Sequence, residues 1–247
     1  MSVRTRIGLM MPAADATTEP DFYTVLGTEE FSTHTHRLWD AKDLVKAERM
    51  DRMNSEIESA ARYLARADVD AIAYCCTTGS FYRGPGWDRE MVQLIESTAG
   101  VPAVATSPSV VEALHHIGAK KLSVITPYPA WNNERLEEYL TAKGFEVLNL
   151  DPHPETYTGA VNMCDQDPEV VVEFAVEKCR PEADALLISC TGWRAIEVAE
   201  ELEGRLGKPV ISANQATIWL LLRKLGISRP IHGYGKLLED LSLVPSS

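Results

Sequence analysis

Short runs of apolar residues recur along the chain, and each run is bounded by polar or turn-forming residues. The runs do not alternate with polar positions, which is typical of strands that are buried on both faces of a parallel sheet. We therefore predict strands over residues 7–11, 71–74, 103–105, 122–125, 147–150, 185–188 and 210–211.

Stretches with apolar residues three or four positions apart separate these runs and predict amphipathic helices. The predicted helices cover residues 46–66, 132–143, 168–178, 194–206 and 217–225, with Gly226 as the C-terminal cap of the last. Strands that alternate with helices indicate βαβ units and an α/β fold. Residues 28–40 alternate only weakly and predict a second strand that leads into a loop, with His34 and His36 as surface histidines rather than a metal pair.

The chain contains an internal duplication. Three segments match three later segments in the same order: 70–77 with 184–191, 8–12 with 123–127, and 101–104 with 208–211. In the first match an Asp, an Ala, a Cys and a Thr coincide 114 positions apart, and the other two spacings are 115 and 107. We therefore predict two similar Rossmann-like halves with parallel sheets, related by a pseudo-twofold axis. Residues 1–112 plus 216–247 would form one half and residues 113–215 the other.

Two cysteines occupy equivalent places in this duplication. Cys76 and Cys190 each end a predicted strand, and ligands of open α/β sheets bind beyond the C-terminal ends of strands. If the halves face each other, the two thiols meet across one cleft, which we predict to be the active site. Thr77-Thr78-Gly79-Ser80 follows one cysteine and Thr191-Gly192 the other, and such hydroxyl and backbone N–H donors at a helix start bind carboxylates and activate thiols.

The competing interpretation is that both cysteines are buried structural residues, since free cysteine is among the most buried residue types. Zinc fits poorly, because the chain has no C-x-x-C pair and no histidine near either cysteine in sequence. We interpret Cys75, Cys164 and Cys179 as packing residues. Strand alternation predicts that Cys75 points away from Cys76.

Composition narrows the function classes. The 247 residues carry a net charge of −12, which disfavours a nucleic-acid partner. No apolar run is long enough for a membrane span, and residues 7–14 are interpreted as a first strand rather than a signal peptide. An odd number of scattered cysteines, five, predicts a reducing, cytoplasmic location. The chain has no glycine-rich nucleotide motif, so we expect no cofactor.

Five motifs in this order carry a family resemblance: residues 8–12, 76–84, 126–128, 189–192 and 214–219. Together they resemble the cofactor-independent aspartate/glutamate racemase superfamily, and within it the maleate cis-trans isomerase and arylmalonate decarboxylase group. Arylmalonate decarboxylases have Gly where Cys76 stands, whereas maleate isomerases and racemases keep both cysteines. The resemblance therefore implies an isomerase of a small carboxylic acid that acts by thiolate addition, rotation and elimination. A racemase, an arylmalonate-type decarboxylase and a two-domain binding protein are the alternatives.

The resemblance also implies residue roles. Cys76 would add to the alkene, and Cys190 would supply and retrieve the proton. Substrate contacts are implied at Pro12, Asp15, Thr77, Thr78, Tyr128, Thr191 and Gly192. Asp15 stands where maleate isomerases carry an Asn, and its charge would repel a carboxylate unless it is protonated or turned away. Arg83 is left as either a second carboxylate clamp or a surface residue. No metal is implied, and a homodimer is left open.

Overall fold

A computed structural model describes residues 4–39, 41, 44–159 and 161–241 of the protein. This part of the chain forms two four-stranded parallel sheets, in the orders β2-β1-β3-β4 and β6-β5-β7-β8. The strands are β1 (Thr5–Pro12), β2 (Phe31–Leu38), β3 (Ala71–Tyr74), β4 (Ala103–Ala105), β5 (Lys121–Thr126), β6 (Glu146–Pro152), β7 (Ala185–Ile188) and β8 (Val210–Ser212). All seven predicted strands are present, and the α/β fold is confirmed.

The duplication is visible in hydrogen bonds as well as in strand order. The Asp70 carboxylate accepts the backbone N–H of Arg6 at 2.7 Å. In the second half, the Asp184 carboxylate accepts the N–H of Lys121 at 2.8 Å. Each aspartate thus joins the start of the third strand of its half to the start of the first strand. The prediction of two similar halves is confirmed.

The helices surround both sheets. They are α1 (Thr18–Leu26), α2 (Lys46–Asn54), α3 (Ile57–Ala65), α4 (Thr77–Phe81), α5 (Trp87–Ala99), α6 (Thr106–His116), α7 (Ala130–Ala142), α8 (Pro154–Tyr157), α9 (Pro168–Lys178), α10 (Ala199–Leu206), α11 (Ala213–Lys224) and α12 (Lys236–Glu239), with 3-10 turns at Met163–Asp165 and Ile196–Val198. Among the described residues, no helix combines the length and apolar composition needed to cross a membrane.

Two of the predicted helices are split or begin later than predicted. Residues 46–66 form α2 and α3 instead of one helix, and the break lies where side chains bond to distant backbone. Asn54 donates to the Gly79 carbonyl oxygen at 3.0 Å, and Glu56 accepts the Trp39 N–H at 2.9 Å. Residues 194–206 also start later, at the Ile196–Val198 turn and then α10. The prediction of a helix that begins directly after Cys190 is therefore wrong, whereas α4 does begin directly after Cys76.

Helix α11 starts four residues earlier than predicted. The Gln215 side chain accepts the Ser212 N–H at 3.1 Å and so fixes this start. Helices α6 and α11 pack against each other, and each contacts strands β4 and β8, one from each sheet. The predicted boundaries after residues 112 and 215 fall inside these two helices, and that division of the chain stays a prediction. Residues 1–3, 40, 42, 43 and 242–247 of the first predicted half lie outside the described residues.

Residues 28–40 supply the edge strand β2, which pairs in parallel with β1. Only its ends, Phe31 and Leu38, are buried, which explains the weak apolar pattern. His34 bonds to Ser32 at 3.2 Å, and the His36 ring stacks on Tyr63. The surface interpretation of the histidines fits these contacts; Asp40, the last residue of this prediction, lies outside the described residues.

Candidate active site

Cys76 and Cys190 follow the third strand of their respective halves and are 8% and 5% exposed. Cys76 is the N-cap of α4, and its sulfur accepts the Gly79 N–H at 3.4 Å. At Cys190 the neighbouring Gly192 N–H lowers the pKa of the thiol. A backbone N–H directed at the sulfur, as at Cys76, is an arrangement that stabilises a thiolate.

Tyr128 connects the two thiols. It follows β5 in the second half, is 4% exposed, and its backbone is held by the side chains of Thr126 and Asn133. Burial raises the pKa of Tyr128 well above its ordinary value, and the nearby Cys190 and Cys76 thiols add to the effect. The hydroxyl therefore stays protonated, and it is close enough to both thiols to interact with them electrostatically.

Thr77 and Thr78 lie in the first turn of α4, and both are buried. The Thr77 hydroxyl, near Tyr128, makes no hydrogen bond of normal geometry with the described residues. Such a buried, unpaired hydroxyl is costly unless a ligand bonds to it. The Thr78 hydroxyl accepts a 3.0 Å bond from the Asn132 side chain on α7, which ties the two halves together beside Cys76.

The surroundings of Cys190 favour the thiol form. Burial raises its pKa, the Asp15 carboxylate and Cys164 add to the rise, and the Gly192 N–H opposes it. The Cys190 sulfur also lies 3.4 Å from the sulfur of Met163, in the 3-10 turn before α9. A thiol that keeps its proton near neutral pH is suited to donate that proton to a carbanion.

Asp15 lies in the turn after β1 and is 6% exposed. Its carboxylate accepts the N–H groups of Thr17 and Thr18, at 2.8 and 2.9 Å, and the Thr18 hydroxyl at 2.8 Å. Pro12 forms the other side of this turn, and its carbonyl oxygen accepts the Asp15 N–H. The carboxylate thus binds the N–H groups at the start of α1, and its charge raises the pKa of Cys190.

The Thr191-Gly192 segment is a turn that is fixed by side chains distant in the chain, one of them from the other half. The Thr17 hydroxyl donates to the Gly192 carbonyl oxygen at 2.9 Å, and the Asn214 amide donates to the Thr191 carbonyl oxygen at 2.8 Å. These carbonyl groups are therefore already bonded and do not start a helix, which is the physical reason for the late start of α10. The Gly192 N–H lowers the pKa of Cys190 without that helix, and its role as a donor to substrate stays a prediction.

Sequence reasoning missed several residues around the thiols: Thr17, Asn54, Tyr74, Asn132, Met163 and Asn214. Asn214 had a signal, since it opens the last of the five motifs, but its contact with the Cys190 turn did not follow from the pattern. Arg83 pairs with Asp51, and its guanidinium lies 4.3 Å from the Trp87 ring. It is therefore occupied by structural partners. Cys75 and Cys76 belong to different core clusters on opposite faces of the sheet, as predicted.

Comparison with known proteins places this arrangement in context. Residues 7–238 match the sequence model of the arylmalonate decarboxylase family. A maleate isomerase from Nocardia farcinica is 29% identical, over 100% of both chains. One from Geobacillus stearothermophilus is 26% identical, over 97% of this chain and 99% of its own. An arylmalonate decarboxylase from Bordetella bronchiseptica is 29% identical, over 79% of this chain and 82% of its own.

Solved structures agree with this relationship. Maleate cis-trans isomerase from Nocardia farcinica, bound to TRIS, superposes with a TM-score of 0.86 at 26% identity, covering 96% of this chain and 98% of that one. A cysteine-to-serine mutant of that isomerase carries a covalently bound succinylcysteine intermediate. Its structure superposes with a TM-score of 0.85 at 26% identity, covering 96% of this chain and 99% of that one. The family resemblance inferred from the five motifs is confirmed.

Proposed function

Because the chain belongs to the arylmalonate decarboxylase family, we propose that it is a cofactor-independent, two-cysteine cis-trans isomerase of a small carboxylic acid. The similarity to maleate isomerases indicates an isomerase, in agreement with the sequence prediction. The single observation that carries the proposal is that buried thiols end equivalent strands of the two halves, and that both raise the pKa of one buried hydroxyl, that of Tyr128. A small substrate between them would meet a nucleophile and a proton donor.

The two thiols have different roles in this proposal. The Cys76 thiolate adds to one alkene carbon, a carbon–sulfur bond forms, and the π electron pair moves to the neighbouring carbon and its carboxylate. The former double bond is then single and rotates. Cys190 donates its proton to the carbanion and later retrieves it. The electron pair re-forms the double bond and expels Cys76 as thiolate, which releases the trans acid. A thiolate suits both steps, since it is a good nucleophile and a good leaving group.

We assign the substrate contacts to two sets, one beside Cys76 and one beside Cys190. Thr77, Thr78 and Tyr128 would hold one carboxylate through hydroxyl groups, and the unpaired Thr77 hydroxyl supports this assignment. Backbone groups at Thr191 and Gly192 would bind the other end and stabilise the negative charge that develops on addition.

Pro12 and Asp15 would border the second thiol, because Asp15 is close enough to raise the pKa of Cys190 and Pro12 lies in the same turn. Asp15 would disfavour an anionic group at that end of the substrate, which argues for a substrate other than maleate itself. A cytoplasmic location, supported by five free thiols, and a homodimeric assembly are further parts of the proposal.

One experiment separates the possible reactions. The full-length protein is incubated in D2O with maleate, aryl-malonates, and α-amino or α-hydroxy acids, and the mixtures are followed by NMR. We expect slow conversion of maleate, the cis alkene of this panel, to its trans isomer. Loss of CO2 from a malonate would instead establish the decarboxylase, and deuterium at an α-carbon the racemase. If none of these changes occurs, labelling of both thiols by iodoacetamide that a dicarboxylate fails to block would contradict the enzymatic proposal.

A further inference from the structure

Two further sulfur-containing side chains lie beside the turn that carries Cys190. The Cys190 sulfur is 3.4 Å from that of Met163, and a Cβ atom at Gly192 would stand 3.3 Å from the sulfur atoms of both Met163 and Cys164. Thiol and thioether groups are weak hydrogen-bonding partners and carry no positive charge. These side chains therefore do not attract a carboxylate to this end of the site.

Asp15 is joined to the same turn through Thr17. The Asp15 Oδ1 atom accepts the Thr17 N–H at 2.8 Å, and the Thr17 hydroxyl donates to the Gly192 carbonyl oxygen at 2.9 Å. The Asp15 charge also raises the pKa of Cys190, as expected for a carboxylate close to a buried thiol. A substrate carboxylate at the Cys190 end would therefore meet a like charge.

The Asp15 carboxylate can accept one more hydrogen bond. A carboxylate offers about four lone-pair sites. Among the described residues, Oδ1 accepts the N–H groups of Thr17 and Thr18, and Oδ2 accepts the Thr18 hydroxyl at 2.8 Å. The remaining site on Oδ2 suits an N–H donor, and an ionised carboxylate has no hydrogen to give it.

Two arginines close to these turns are already paired with carboxylates. Arg194 donates two N–H groups to Glu197, at 2.8 and 3.2 Å. Arg37 pairs with Glu19 and donates to the Asp15 carbonyl oxygen at 2.7 Å. Neither guanidinium therefore brings an unneutralised positive charge that would offset Asp15.

The Cys76 end offers a donor instead. The Thr77 hydroxyl is on a residue that is 3% exposed, and it makes no hydrogen bond of normal geometry with the described residues. A hydroxyl that lacks a partner suits a carboxylate oxygen, which accepts hydrogen bonds only. The two ends of the site thus differ in the substrate group that each can bind.

We propose that the substrate is an unsymmetrical cis alkene, with a carboxylate at the Cys76 end and a neutral carboxamide at the Cys190 end that donates an N–H group to Asp15. The inference rests on the proposed function. Cys76 forms its bond to the alkene carbon next to the carboxylate, and the π electron pair moves to the carbon next to the carboxamide, where the Cys190 proton is added. After rotation the proton returns to Cys190, the double bond re-forms and Cys76 leaves as thiolate. The carbanion next to a carboxamide is easier to form than one next to a carboxylate, which would place two negative charges on one group.

The test compares maleate with its monoamide, and succinate with its monoamide, in the full-length protein at a pH at which every carboxylate is ionised. NMR gives kcat/KM for the two alkenes, and calorimetry gives Kd for the two saturated compounds, which cannot react. We expect kcat/KM to be at least about tenfold higher for the maleate monoamide than for maleate. The succinate monoamide should likewise bind at least about tenfold more tightly than succinate.

Asp15→Asn should lower both ratios at least about tenfold, because the new amide donates to a second carboxylate and no longer repels it. The matched control is Asp165→Asn, which removes an exposed carboxylate next to Cys164. It should leave both ratios within about twofold of wild type, since solvent and salt screen an exposed charge. An equal change in the control would contradict the role of Asp15.

Faster conversion of maleate than of its monoamide would refute this substrate class and leave the proposed isomerase intact. Conversely, tighter binding of the succinate monoamide by a protein that isomerises neither alkene would support the substrate class and contradict the proposed function. Failure to bind or convert either monoamide would overturn the inference. The wild-type comparison needs no variant, so it decides the question even if Asp15→Asn does not fold.

Discussion

Replacing Asp21 with asparagine is expected to remove a pH-dependent loss of stability. Asp21 lies on α1, is 9% exposed, and accepts a 2.7 Å hydrogen bond from the Asn214 amide on α11. Burial raises the pKa of Asp21 from 3.8 to about 7; Glu197 and Asp15 add to the rise, whereas Asn214 and Arg194 oppose it. The carboxyl therefore keeps its proton in the folded protein over a range in which the unfolded chain has lost it.

The magnitude follows from proton linkage. Between pH 3.8 and about 7 the native state binds one proton more than the unfolded state at Asp21. The free energy of unfolding therefore falls as the pH rises through this interval, by about 1.4 kcal/mol per pH unit. The total loss approaches about 4 kcal/mol, and no further loss occurs at higher pH.

Asp21→Asn has no ionisable group and keeps an acceptor for the Asn214 amide. Its own amide hydrogens also suit the Asn214 Oδ1 atom, which accepts no hydrogen bond from the described residues. We expect the free energy of unfolding of the variant, relative to wild type, to increase by about 3 kcal/mol between pH 5 and pH 8.5. Urea unfolding, followed by tryptophan fluorescence at a series of pH values, measures this difference.

The control is Glu90→Gln, which removes one negative charge from an exposed position on α5. Its difference from wild type should stay constant across the same pH range. A constant difference for Asp21→Asn as well would refute the reasoning, because it would mean that Asp21 ionises alike in both states.

Three further predictions concern the reaction. Cys76→Ser should lose nearly all turnover, because a serine hydroxyl is a far weaker nucleophile than a thiolate at neutral pH. Cys190→Ser should be severely impaired, yet it should slowly form an adduct of one substrate mass on Cys76, which intact-protein mass spectrometry detects. A racemase would form no adduct in either variant. Wild type should turn over maleate poorly, and Asp15→Asn should improve kcat/KM for maleate, because an amide donates to a carboxylate. Asp15→Asn should also lower the free energy of unfolding by about 1 kcal/mol, measured by thermal or urea unfolding, since it loses the acceptor of the Thr18 hydroxyl. If the variant instead turns over maleate more slowly than wild type, Asp15 has a structural or acid–base role. Turnover should persist in EDTA without added nucleotide, flavin or pyridoxal phosphate, and loss of activity that zinc restores would contradict the thiol mechanism.

The strands, the two halves and the positions of both cysteines were predictable from the sequence. Buried parallel strands are continuous apolar runs. This pattern is local, so it can be recognised in the sequence without knowing which strands pair with each other. The duplication by itself places Cys76 and Cys190 at equivalent strand ends. The edge strand β2 was the weakest of these predictions, because only its two ends are buried.

Only the tertiary structure decided where helices break and which polar groups meet. The deciding hydrogen bonds join residues far apart in the chain: Thr78 and Asn132 across 54 positions, Thr17 and Gly192 across 175, and Asp21 and Asn214 across 193. No local pattern encodes such pairs, since each partner alone looks like an ordinary polar residue. These side chains form their hydrogen bonds and shift the pKa values of nearby groups only after the two halves have packed together.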